Sequence, residues 1–190
     1  MAAAAEAAGA AAAEMSGPAL LAALRNGGYI LYFRHAATDF GQNDDQMTGY
    51  EACATQRNLT DTGRADARAI GATLRELHIP IGAVLASPYC RTMETAQLMF
   101  GRATATPAVR GGTVQPESPA RYAALRDLLA TQVPPGSNLA IASHGNPYRA
   151  VVGGDYLAEG EAAVIEPLAR ADFRLVARVR KEGWKDLAAR

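Results

Sequence analysis

The chain has 190 residues, of which 49% are hydrophobic and 20% are charged, a composition typical of one folded globular domain. Its 19 lysines and arginines balance 19 aspartates and glutamates. That balance argues against a protein that binds nucleic acid or an anionic membrane through a basic surface. No apolar run is long enough to span a bilayer, and two cysteines are too few for a disulfide-built fold or a thiolate metal site.

The first 15 residues are mostly alanine and lack the basic start of a signal peptide. They are compatible with a frayed helix, a disordered leader or the remainder of a trimmed export signal. We predict an alanine-rich leader over residues 1–15 and a single domain over residues 16–190.

Helical and extended patterns alternate after this leader. Ser16 and Pro18 are typical of a helix start, and Gly27 with Gly28 ends that helix. Residues 29–33 are all apolar or aromatic and predict a strand buried on both faces. Residues 36–59 show no periodicity and predict a long loop that covers the end of this strand.

The later elements follow the same alternation. They are predicted in this order: a helix from Thr60 or Thr62 to about Leu77, a strand over 83–86, a helix capped by Ser87 and ended by Gly101, an edge strand near 108–109, a helix from Ser118 to about Leu129, a strand over 138–142, a helix over 147–152, and an antiparallel pair over 162–165 and 173–179. Strands that alternate with helices predict an α/β sandwich.

Cationic and imidazole side chains follow three of the predicted strands. Arg34 and His35 come after the first, Arg91 after the second and His144 after the third. Because parallel strands end at one edge of a sheet, we expect these side chains to converge. Two arginines and the N-terminus of a helix suit a tetrahedral dianion better than a carboxylate. The sequence therefore predicts a phosphate site.

Two histidines at a phosphate site have a chemical use. A neutral imidazole can attack phosphorus, and a second can stabilise the phosphoryl oxygens, while an acid protonates the leaving alkoxide. Thr38, Arg57 and Asn146 are further candidates for substrate binding, and Glu94 is expected to orient Arg91.

Four short motifs carry a family resemblance. They are Arg34-His35-Ala36-Ala37-Thr38, residues 58–64, residues 87–96 and Ser143-His144-Gly145-Asn146. In this order they resemble the histidine phosphatase (phosphoglycerate mutase-like) superfamily from about residue 28 onward. The resemblance implies a three-layer α/β sandwich, with helices on both faces of a mostly parallel sheet. It also implies that His35 is the nucleophile, that Arg34, Arg91 and His144 complete the phosphate pocket, and that no metal or cofactor takes part.

Two positions depart from the family pattern. Ala36 stands where the family usually has glycine, which is acceptable if the backbone angle suits alanine. Gly145 stands where the acid-phosphatase branch has its aspartate proton donor. The donor is then expected at Glu161, before a strand beside the third, or at Glu117; we favour Glu161.

The main functional hypothesis is a metal-independent phosphatase that acts on a phosphorylated small molecule or phosphoprotein through a phospho-His35 intermediate. The alternative is a non-catalytic phosphate-binding module with the same pocket. A metallohydrolase with His35 and His144 as ligands is disfavoured, because no carboxylates stand at metal-ligand spacing beside them.

Cys53 and Cys90 allow two interpretations. They form one disulfide, which closes a loop of about 37 residues and is worth roughly 4 kcal/mol, or they are separate buried thiols. A disulfide is typical of an oxidising compartment and would favour a periplasmic or secreted protein.

Overall fold

The computed structural model describes residues 14–111 and 119–189. Its helices are α1 (Gly17–Asn26), α2 (Asp61–Glu76), α3 (Cys90–Phe100), α4 (Ala123–Leu129) and α5 (Gly145–Val151). Its strands are β1 (Ile30–Arg34), β2 (Ile81–Ala86), β3 (Thr104–Ala105), β4 (Asn138–Ser143), β5 (Ala162–Leu168) and β6 (Asp172–Val179). No helix in these ranges is long and apolar enough to cross a membrane.

The six strands form one mixed sheet in the order β3-β2-β4-β1-β5-β6. Strands β1 to β4 run parallel to one another, whereas β5 is antiparallel to β1 and β6 is antiparallel to β5. The predicted α/β fold with a mostly parallel sheet is confirmed, and so is the terminal antiparallel pair. Helices cover both faces of the sheet, with α1 and α2 on one face and α4 and α5 on the other.

Strand β1 shows how the layers are separated. Leu31 and Phe33 pack on one face of the sheet with the apolar sides of α1 and α2. Ile30 and Tyr32 pack on the opposite face with residues of α4 and α5. The continuous apolar run of β1 is therefore explained by burial on both sides, as predicted.

Several boundaries differ from the sequence prediction. Helix α3 begins at Cys90, and Ser87 does not cap it. The expected strand near 108–109 is instead a 3₁₀ turn at Pro107–Val109, started by the Thr106 side chain, and the edge strand lies earlier at Thr104–Ala105. Thr60 caps α2 as expected, because its Oγ1 accepts a hydrogen bond from the Gly63 amide at 2.9 Å.

The long loop over residues 36–59 is tied to the start of α3. Cys53 and Cys90 form a disulfide with a Cα–Cα distance of 5.6 Å, which decides between the two interpretations of the cysteines. The Gln56 side chain adds a second attachment, since its Oε1 accepts from the Cys90 amide at 3.0 Å. Both attachments hold the loop beside the residue that follows Cys90, Arg91.

The predicted leader falls almost entirely outside the described residues, as does Ser118. The division into a leader and a single domain therefore stays a prediction.

Candidate active site

Register within the sheet brings the two site histidines together. Arg34 of β1 pairs with Ser143 of β4, so His35 and His144 each leave the sheet one residue later, on neighbouring parallel strands. Their ring centroids are 5.6 Å apart. The two histidines were expected to lie at one edge of the sheet because each follows a parallel strand. The pairing of β1 with β4 is sufficient to place them there.

A cavity of about 440 Å³ opens at this edge. It is lined by the four residues expected to form the phosphate pocket, namely Arg34, His35, Arg91 and His144, and also by Arg57 and Asn146. A larger and more apolar depression of about 700 Å³ lies beside the disulfide and contains none of these six residues. The chemistry is therefore concentrated in the smaller, polar cavity.

The hydrogen bonding of His35 leaves one ring nitrogen available. Its Nδ1 lies 2.9 Å from the carbonyl oxygen of Ala36, which can only accept, so the neutral ring carries its proton on Nδ1. Burial, with nearby Arg91 and Arg34 as lesser causes, lowers the pKa of His35 to about 3. Near neutral pH its Nε2 therefore keeps a free lone pair.

Three arginines that line this cavity have a side-chain nitrogen without a hydrogen-bond partner. The Nε atoms of Arg34, Arg57 and Arg91 are buried without a hydrogen-bond partner, and within the described ranges Trp184 has the only other such side-chain nitrogen. Burial lowers the pKa of Arg34 and of Arg91. Because buried donors and buried cations are costly without a partner, the cavity is suited to an anion with several oxygens.

His144 is held by a residue that sequence reasoning took for a helix cap. Its Nε2 lies 2.8 Å from the Ser87 hydroxyl, which directly follows β2. Burial lowers the pKa of His144 well below its ordinary value, and the neighbouring His35 adds to the shift. The Tyr89 ring packs edge-on against the imidazole at 5.1 Å between centroids. The ring is thus neutral and fixed in orientation.

Asp44 is a site residue that the sequence analysis missed. Its Oδ1 accepts from Arg91 Nη1 at 3.0 Å and from the Arg57 amide at 2.9 Å, and its side chain lines the cavity. Glu94, expected to orient Arg91, instead pairs with Arg64 at 2.7 Å. A carboxylate in a patternless loop gives no signal of its own, so only its contact with Arg91 identifies it.

Comparison with known proteins agrees with this geometry. The model of the histidine phosphatase superfamily (branch 1) matches residues 30–112, which include Arg34, His35 and Arg91. The segment that carries these three residues is thus similar to the histidine phosphatase superfamily. No curated protein matches it in a sequence search.

Solved structures of low sequence identity share the fold of this chain. The protein histidine phosphatase SixA complexed with tungstate has a TM-score of 0.57 and 15% identity, over 80% of this chain and 97% of that one. Phosphoserine phosphatase from Entamoeba histolytica has a TM-score of 0.56 and 13% identity, over 79% and 95%. Mycobacterial glucosyl-3-phosphoglycerate phosphatase has a TM-score of 0.58 and 15% identity, over 78% and 96%.

The two departures from the superfamily pattern have structural explanations. Ala36 is fully buried and is not among the residues with positive φ, so its backbone does not require glycine. At Gly145 an added Cβ would lie 2.1 Å from the Tyr156 ring. A side chain at this position would therefore require Tyr156 to move.

Thr38, expected to bind substrate, does not line the cavity. Its hydroxyl donates to Glu159 Oε1 at 2.6 Å and its amide donates to Glu159 Oε2 at 3.3 Å. Glu159 Oε1 also lies 3.9 Å from His35 Nδ1 and 3.8 Å from Arg34 Nη2. The structure thus places Thr38 behind the cavity, where it holds a carboxylate beside His35 and Arg34.

Glu161, the favoured proton donor, also lies outside the cavity. Its carboxylate accepts from Arg178 Nε and Nη2, both at 2.9 Å, and from the Ala158 amide at 2.6 Å. The expectation is corrected on this point, because both carboxylate oxygens of Glu161 are bound by Arg178 outside the cavity, which favours a structural role. The other candidate, Glu117, lies outside the described residues.

The two buried histidines predict a loss of stability in mild acid. The pKa of His35 is about 3 when folded against an ordinary value of 6.5, and that of His144 is lowered in the same direction. Below about pH 6 the unfolded chain therefore binds protons that the folded chain does not. Each histidine then reduces the free energy of unfolding by about 1.4 kcal/mol per pH unit.

Urea unfolding from pH 7 to pH 5 in phosphate-free buffer measures this slope. Most carboxylates stay ionised in that range, so the slope reports mainly on histidines. A free energy of unfolding that stays constant from pH 7 to pH 5 would contradict the prediction.

Proposed function

We propose that the protein is a metal-independent phosphatase that hydrolyses a phosphate monoester, or a phosphohistidine, through a phospho-His35 intermediate. The observation that carries this proposal is a cavity lined by three arginines, each with a buried Nε that has no hydrogen-bond partner, together with a neutral histidine that has a free Nε2. These donors suit the equatorial oxygens of a phosphoryl group, and the imidazole is the nucleophile.

The charge distribution supports an attack by His35. As the Nε2–P bond forms, the ring acquires a positive charge while its Nδ1 proton remains hydrogen-bonded to Ala36. Glu159, with Oε1 3.9 Å from Nδ1, is placed to offset that charge. His144 can donate to a phosphoryl oxygen, and the arginines stabilise the negative charge in the transition state.

The proposed reaction needs no metal for charge neutralisation, because Arg34, Arg57 and Arg91 line the cavity. Among the described residues, no group of three or more histidine, cysteine, aspartate or glutamate side chains could hold a metal ion. Activity is expected to be unchanged by EDTA.

Trapping of the intermediate tests the proposal. After rapid mixing with a ³²P-labelled ester and a denaturing quench at alkaline pH, label should remain on the protein with the acid lability of phosphohistidine. After reduction of the Cys53–Cys90 disulfide, the three histidines fall in three different tryptic peptides, and the one spanning residues 35–57 contains only His35. Label in that peptide supports the mechanism.

Label in the peptide with His144 would reassign the nucleophile. Saturable binding of phosphate or vanadate with no label and no turnover would instead favour the non-catalytic phosphate-binding module. The solved neighbours act on different phosphorylated compounds by their names, a protein phosphohistidine, phosphoserine and glucosyl-3-phosphoglycerate. A panel with these three classes defines the substrate.

Glu161→Gln distinguishes a structural from a catalytic role for this residue. We expect the free energy of unfolding to fall by about 3 kcal/mol, because Arg178 loses its charged partner at a buried position. Hydrolysis per folded molecule should stay within about threefold of wild type, since Glu161 does not line the cavity.

Urea unfolding and initial rates at 15 °C measure the two effects separately. A loss of turnover by about a hundredfold in fully folded protein would restore Glu161 as the proton donor.

A further inference from the structure

The proposed reaction leaves one role unassigned, the acid that protonates the leaving oxygen. In an in-line displacement the nucleophile and the leaving group lie on opposite sides of phosphorus. His35 attacks from the interior, since its side chain is only 2% exposed. The acid must therefore stand on the exposed side of the cavity.

The acids near His35 on the interior side do not meet this requirement. Glu159 lies behind the nucleophile, 3.9 Å from His35 Nδ1, and is bound to Thr38. Glu161 is held by Arg178. Gly145 has no side chain, and the Tyr156 ring fills the adjacent space.

Asp44 meets the requirement. It belongs to the loop over residues 36–59, it lines the cavity, and its side chain is 30% exposed. The loop is attached at the site by the disulfide and by the bond from the Cys90 amide to Gln56. The only other described carboxylate lining the cavity is its exposed neighbour Asp45, for which no ion pair is observed.

The ion pair of Asp44 links its protonation to substrate binding. Arg91 Nη1 donates to Asp44 Oδ1 at 3.0 Å. A phosphoryl group bound by Arg91 would compete for this donor and bring negative charge next to the carboxylate. Both changes favour a protonated carboxyl group. Substrate binding would thus prepare the acid that the reaction needs.

We propose that Asp44 is the general acid of the phosphatase, and that its substrates are alkyl phosphate monoesters, whose leaving alkoxides require a proton. This rests on the proposed function. In the first step the Nε2–P bond forms, the P–O ester bond breaks, and the leaving oxygen takes the electron pair and the Asp44 proton. In the second step water attacks phosphorus, the Nε2–P electron pair returns to His35, and the Asp44 carboxylate accepts a proton from water.

The test compares two esters that differ in their need for an acid. Glycerol 2-phosphate releases an alkoxide, whereas 4-nitrophenyl phosphate releases a phenolate that is stable without a proton. Asp44→Asn should lower kcat/KM for glycerol 2-phosphate by about 10² to 10⁴-fold and that for 4-nitrophenyl phosphate by less than about tenfold. Asp39→Asn, on the same loop but outside the cavity, is the matched control and should change neither.

Two further variants test the competing acids. If Asp45→Asn or Glu117→Gln shows the selective loss and Asp44→Asn does not, the assignment is overturned. An equal loss on both esters in Asp44→Asn would also overturn it, because that result indicates a role in binding or folding. If the wild-type protein hydrolyses neither ester but another phosphorylated substrate labels His35, the role of Asp44 in alkyl-ester hydrolysis fails and the proposed function stands. If no substrate class is turned over and none labels the protein, the proposed function itself fails.

Discussion

Replacement of His35 with alanine is expected to lower phosphate-ester hydrolysis by at least about 10³-fold, because it removes the atom that forms the bond to phosphorus. The loss should be the same for 4-nitrophenyl and alkyl esters, since both reactions pass through the phosphohistidine. The measurement is the initial rate of hydrolysis at saturating substrate. A second measurement is the ³²P label on the protein after a denaturing quench, which should be absent in this variant.

Folding of this variant must be checked separately, because His35 is buried and its ring packs against the ring of His144. A cooperative urea transition and retained binding of vanadate would show that the pocket is intact. His78→Asn is the matched control: His78 is exposed at the end of α2, and asparagine tolerates its positive φ of 55°. Turnover in folded His35→Ala protein within tenfold of wild type would refute the covalent mechanism.

Removal of the disulfide is expected to have the largest effect on stability. Cys53 and Cys90 are separated by 37 positions in the sequence. In the chain-entropy model, loss of a disulfide that closes a loop of this length lowers the free energy of unfolding by about 4 kcal/mol. The variant with both cysteines replaced by serine, compared with wild type in urea unfolding, measures this difference.

The same bond is expected to affect activity, because it joins two parts of the cavity wall. Cys90 directly precedes Arg91, and Cys53 belongs to the loop that carries Asp44 and Arg57. We expect kcat/KM to fall by about tenfold as these cations lose their fixed separation. Dithiothreitol should reproduce both effects in wild type and leave the double variant unchanged. A stability difference below 1 kcal/mol would show that the Gln56 contacts suffice to hold the loop.

His35 and the disulfide both lie beside cations that the fold holds away from water. Arg34 and Arg91 are partly or largely buried, and burial lowers the pKa of each guanidinium. Such an arrangement is stable only where the fold keeps the cations apart and an anion is available to them. Asp44 meets part of this need through its bond to Arg91.

The sequence by itself determined the elements whose patterns are local. The apolar run of β1 followed by Arg34 and His35 predicted a buried strand that ends in a cationic site. The same reasoning located His144 after β4 and Arg91 at the start of α3. The parallel arrangement of these strands then followed from the alternation with helices, because carboxyl ends of parallel strands share one edge.

The tertiary structure decided which side chains the site residues contact. Ser87 bonds to His144 across 57 residues, Asp44 pairs with Arg91 across 47, and Glu161 pairs with Arg178 on the antiparallel neighbour. The sequence does not distinguish a carboxylate that lines a cavity from one that is paired with a guanidinium. The choice between Asp44 and Glu161 depends on contacts made only when distant segments pack, because local patterns determine backbone conformation but not the partner of a polar side chain.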